Sequence, residues 1–180
     1  SAGAQETSAL TLGRLATHNA ANTNAIVRAG AIEPLVALVR SGSAGAQETS
    51  AIALGNLAES ADNRASMAQA GAIEPLIALV RGGSAGAQEA AAVALGNLAT
   101  NNVANKVAIA RAGAIEPLVA LVRSGSAGAQ QQAAATLSSL AADADTRETI
   151  VRAGAIEPLV TMMRLGDRYA RRAAIFGLYH

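Results

Sequence analysis

The chain has 180 residues, 51% of them apolar but only 2% aromatic, and a net charge of +1. The absence of cysteine excludes disulfides, thiolate metal sites and cysteine nucleophiles, and the small net charge gives no whole-molecule field to draw nucleic acid or a membrane surface. Charged residues interrupt every apolar run before about 20 residues, which excludes a transmembrane helix, and 47 alanines favour helices instead. No basic-then-apolar leader follows Ser1, and the chain reads as intracellular, cytoplasmic or nuclear.

In chain order, Ser1–Ala16 reads as a lone helix. A repeat then appears. GAIEPLVALVRSGSAGAQ stands at Gly30–Gln47 and again, letter for letter, at Gly113–Gln130. Gly71–Gln88 differs from it only at Ile77 and Gly82, and Gly154 opens a fourth copy that diverges after GAIEPLVTMMRLG. The four glycines lie 41, 42 and 41 residues apart, the period of two- or three-helix solenoid units. In the second unit, Asp62–Ala70 reads as a short helix ended by Gly71, where a left-handed residue costs glycine little. Pro75 sits near the start of a second helix, about Glu74–Arg81, and Pro34, Pro117 and Pro158 hold the same slot. Gly82-Gly83 ends that helix, and Ser84 caps a third one running from about Gly86 to Ala99. The longer units carry their extra residue between the third helix and the next first helix (THNAANTN against ESADNR), which marks a surface loop.

On AGAIEPLVALVRSG at the first-to-second helix junction, and on SAIALGNLA and AAVALGNLA in the third helix, the chain resembles an armadillo repeat array over essentially its whole length. HEAT repeats are the neighbouring alternative. The resemblance implies an all-α, right-handed superhelical solenoid of three-helix repeats forming a single domain over residues 1–180. In that register 1–16 is a lone third helix, followed by repeats at about 19–58, 59–99, 100–141 and 142–180. It also implies that the third helices line a concave groove.

At about 100° per residue, Thr49, Ile52 and Asn56 share one stripe of their helix, while Leu54 and Leu57 point into the core. The corresponding stripes are Thr7, Leu10 and Arg14; Ala90, Val93 and Asn97; Gln132, Ala135 and Ser139; Ala173, Phe176 and His180. Beside them runs a row of Glu6, Glu48, Glu89, Gln131 and Arg172. In the armadillo family the Asn of this helix bonds the backbone of an extended peptide, and a Trp one turn earlier forms side-chain pockets. Asn56 and Asn97 match that motif; Arg14, Ser139 and His180 depart from it, and Leu10, Ile52, Val93, Ala135 and Phe176 stand in the Trp slots. A carboxamide suits the role, since it offers a donor and an acceptor to one peptide unit. Without indoles there is no cation–π shelf for basic side chains, so binding of nuclear localisation signals is not implied. A groove of Ile, Val and Ala suits an apolar or mixed peptide.

The expected groove residues are therefore Asn56, Asn97, Ser139, Arg14, Thr49, Ile52, Val93, Glu48 and Glu89. Two of these types carry a plainer reading. Acidic residues in a helix's first turn complement its dipole, and Asn near a helix end often bonds a neighbouring loop. No metal, cofactor or catalytic site is expected: His18 and His180 are far apart in sequence, and SGSAGA serves as linker and cap rather than phosphate cradle. The C-terminal stretch LGDRYARRAAIFGLYH, with all three aromatic residues, reads as an end unit or as a basic patch for an acidic partner or nucleic acid. The first helix lacks a preceding repeat, so a homo-oligomer through that uncapped face is expected beside the peptide partner. Eighteen identical residues in two repeats point to recent duplication or design. The functional expectation is a non-catalytic interaction scaffold for an extended peptide, the alternative a structural, self-associating or engineered module with no ligand of its own.

Overall fold

The computed structural model describes residues 1–165, and among them the chain is helical, with twelve helices and no strand. A first helix, α1 (Ala2–Ala16), precedes three sets of three: α2 (Ala20–Arg28), α3 (Ile32–Ser41) and α4 (Ala44–Leu57); α5 (Ala61–Gln69), α6 (Ile73–Gly82) and α7 (Ala85–Ala99); α8 (Val103–Arg111), α9 (Ile115–Ser124) and α10 (Ala127–Leu140). Two helices of a further set follow, α11 (Ala144–Arg152) and α12 (Ile156–Leu165).

Local chemistry sets these boundaries. Gly30, Gly71, Gly113 and Gly154 take φ between 74° and 79° and close the first helices. At the first of them the Gly30 N–H donates to Val27 O and the Ala31 N–H reaches back to Ile26 O, a paired closure that satisfies two orphan carbonyls. Each third helix starts at a serine: the hydroxyls of Ser43, Ser84 and Ser126 accept from the N–H of Ala46, Ala87 and Ala129. The second helices bury Leu35, Leu76, Leu118 and Leu159 on one face and expose Arg40, Arg81, Arg123 and Arg164 on the other.

Third helices pack on third helices in the order α1, α4, α7, α10, and second helices form a parallel row, α3, α6, α9, α12. The spacers differ. Gly13 lies against the Ala53 backbone and Gly55 against Val93 and Ala94, so the third helices meet over small side chains. The second helices instead bury Leu, Ile and Val. A row with thin spacers beside a row with thick ones bends toward the thin row, which places the third helices on the inner wall.

The connections alternate. The two identical stretches stand 83 residues apart, which is two units, and odd and even junctions differ accordingly. The longer junctions insert His18 and Asn101, both at φ 50°. The shorter ones use an arginine instead. Arg64, buried, donates from Nε to Ala58 O (2.8 Å), from Nη2 to Glu59 O (2.9 Å) and from Nη1 to Thr100 O (2.8 Å), closing the ends of both α4 and α7. Arg147 repeats the first of these bonds, to Ala141 O at 3.1 Å.

Candidate functional site

The stripe is laid out by helix geometry. Leu54 and Leu57 are buried, whereas Thr49 and Asn56 are half-buried and Ile52 keeps 40% of its surface exposed. In the neighbouring helices Leu10, Val93, Asn97, Gln132 and Ser139 are half-buried, Arg14, Thr7 and Ala135 are exposed, and Ala90 is buried. Ala173, Phe176, His180 and the other C-terminal candidates, Arg172 included, lie outside the described residues.

The two asparagines tie third helices together. Asn56 donates from Nδ2 to Gly13 O at 2.9 Å and to Thr17 Oγ1 at 3.1 Å. Asn97 donates to Gly55 O at 3.0 Å, its partner in the preceding helix at the same register. The same two glycines bring the helices close, Gly13 against Ala53 and Gly55 against Val93 and Ala94. Both Oδ1 atoms accept no hydrogen bond among the described residues, and Asn97 also keeps one N–H free. Asn97 can therefore offer a donor and an acceptor to one peptide unit, Asn56 an acceptor. Ser139 is turned inward on its own helix, donating to Ala135 O at 3.2 Å, and Thr49 likewise to Gly45 O at 2.9 Å.

The glutamates sit at helix N-termini other than their own. Neither α4 nor α7 has an acidic residue in its first turn, so the dipole reading of Glu48 and Glu89 within their own helices does not hold. Each carboxylate instead reaches the first turn of the next third helix. A Cβ on Gly45 would stand 2.5 Å from the Glu6 carboxylate, and Glu48 on Gly86 and Glu89 on Gly128 leave still less room. Ser84 Oγ donates to Glu48 Oε2 at 3.2 Å. A negative charge there lies at the positive end of the helix, and a Cβ on the glycine would push the carboxylate aside, a shift at the far end of a flexible side chain. The sequence carries a signal for this pairing: where Gln131 replaces the glutamate, the matching glycine is Tyr169.

Charge elsewhere is sparse. His18 lies 3.6 Å from Glu59 on the exposed junctions, off the stripe. The Thr146 N–H, and then its hydroxyl, hold the Asp143 carboxyl below its ordinary value at the start of α11. No three His, Asp or Glu side chains gather as metal ligands among the described residues, and no described helix is long and apolar enough to cross a membrane. A trough of about 1020 Å³ lies between α1, α2 and α3, lined by Ala9, Leu12, Ile26, Pro34, Leu35 and Leu38. It is separate from the stripe.

Comparison with known proteins agrees with this architecture. The armadillo/β-catenin-like repeat matches residues 19–59, 60–100 and 102–142. No curated protein matches the chain. Among solved structures, an engineered protein superposes with a TM-score of 0.94 at 32% identity, over 99% of this chain and 73% of its own. A computationally designed armadillo repeat protein for modular peptide recognition gives 0.89 at 25% identity, over 96% of this chain and 73% of its own. A designed armadillo repeat protein in complex with the peptide (KR)4 gives 0.89 at 24%, with the same coverage, and supports the fold alone. Tandem units of this period, the glycine-closed first helices and three consecutive family matches place the chain, with its right-handed solenoid, in the armadillo repeat family.

Proposed function

We propose that the chain is a non-catalytic scaffold that holds an extended peptide along its third helices. The observation that carries this reading is Asn97. Its nitrogen is anchored on Gly55 O, while Oδ1 and one N–H stay open beside the half-buried Val93. Asn56 and the exposed Ile52 continue the same surface, with Thr49 and Arg14 at its edge and Ser139 beyond it. Adjacent packed helices stand about 8–10 Å apart, and an extended chain advances about 3.3 Å per residue, so each unit would meet two or three peptide residues. The peptide recognition for which one structural relative was designed lends support.

The test is a random extended-peptide selection on the native chain, on Asn97→Ala and on Ile52→Glu. Ile52 is exposed, so its substitution leaves the fold intact and separates binding from stability. A shared motif, lost by at least tenfold in affinity in both variants, is the expected result. Peptides that bind all three proteins equally would overturn it.

A second reading, self-association, has its own support in the apolar trough beside α1. It predicts that Leu12→Glu abolishes a concentration-dependent rise in mass by light scattering. A native chain that stays monomeric over a hundredfold concentration range would end it.

A further inference from the structure

Resting on the peptide-groove reading, we infer that the ligand is an extended segment without lysine or arginine along the groove's middle, whose side chains grow from small over Ile52 to large over Ala135. Two independent observations lead there. The first is charge. Glu48 and Glu89, the acids flanking the stripe, sit against the glycine-lined first turns of α7 and α10, with Glu48 also held by the Ser84 hydroxyl. A lysine or arginine of a ligand could claim them only by pulling them off helix N-termini where they are already stabilised. Along its middle the groove therefore offers a basic peptide only carboxylates that already face the first turn of the next helix. The second is shape. At one register position the floor residue changes from Ile52 to Val93 to Ala135, losing carbon at each step. Ile52 and Ala135 are both exposed, so the change of size is a change of depth seen by a ligand.

A ligand side chain over Ile52 has little room and gains from being small, whereas one over Ala135 can fill space and bury apolar area. The two floor positions lie two helices apart, about 16–20 Å, which an extended chain covers in five or six residues. Asn97 anchors the backbone between them. The ligand is thus Gly, Ala, Ser or Thr at one position and Leu, Met or Phe about six residues away, with no Lys or Arg between.

The test is positional scanning of uncharged and Lys/Arg-bearing extended peptides on the native chain and on the exchanged variant Ile52→Ala/Ala135→Leu. Both substitutions are at exposed positions, and matching helicity and melting confirm the fold. The native chain is expected to favour the large residue over the small one at the Ala135 end by about tenfold, and the exchanged variant to reverse the order. A Lys/Arg motif that depends on Asn97, or a size order unmoved by the exchange, would overturn this inference while leaving the peptide groove standing. Enrichment of no peptide by either protein would overturn both.

Discussion

Ser50 carries its hydroxyl into the centre of α4, fully buried and without a hydrogen-bond partner among the described residues. The same register holds Ala91 and Ala133, both buried. Burying an unmade hydrogen bond is unfavourable, so Ser50→Ala should stabilise the chain by about 1 kcal/mol in urea unfolding. A loss of stability would mean that the hydroxyl has a partner. Gly71 makes the opposite case. Its surroundings are open, so the cost of a methyl group there comes from φ 74° alone. Gly71→Ala should destabilise by about 1–2 kcal/mol, by the same measurement. That glycine was legible in the sequence because one slot repeats four times. The Ser50 defect was not, because helical periodicity does not say which polar atoms find partners.

Between elements, the contact repeated most faithfully is the glutamate of one third helix on the glycine of the next. Glu48→Ala should cost about 0.3–1 kcal/mol through loss of the helix-terminus interaction. Gly86→Ala in the native chain should be near neutral, its gain in helix propensity offset by displacement of the carboxylate. In the Glu48→Ala background the same change should stabilise by up to about 1 kcal/mol. Additive effects in this double-mutant cycle would show that the two residues do not interact. From sequence these glutamates look like groove acids or dipole partners of their own helices, because their real partner lies in the next unit. Asp143, the cap of α11, is also local chemistry but reports through pH. Its carboxyl is held below its ordinary value by the Thr146 N–H and hydroxyl, so its contribution is present above the unfolded value, about pH 4. That contribution is lost as pH falls through the lower folded value. The stability difference between the native chain and Asp143→Asn should be constant near neutrality and shrink below about pH 4; a constant difference into acid would contradict the capping account.

At the scale of the whole molecule, curvature follows from side-chain size. Gly13 on Ala53 and Gly55 on Val93 and Ala94 thin the third-helix row, and Leu, Ile and Val thicken the second. The repeat and its three helices were legible in spacing and punctuation. The bonds from Asn56 and Asn97 to the preceding helix, and the arginine-closed short junctions, were not, because they join residues about 40 positions apart or depend on carbonyls left open by a turn. Those bonds make the asparagines part of the solenoid as well as of its candidate binding face, so the central claim needs a readout that separates the two roles. Amide NMR of the native chain, titrated with a peptide selected on it, provides one. The account predicts shifts confined to the stripe, at Thr49, Ile52, Asn56, Val93 and Asn97, with the free side-chain N–H of Asn97 among the largest. Shifts centred instead on Leu12, Ile26 and Leu38 around the trough, with the stripe unmoved, would contradict it.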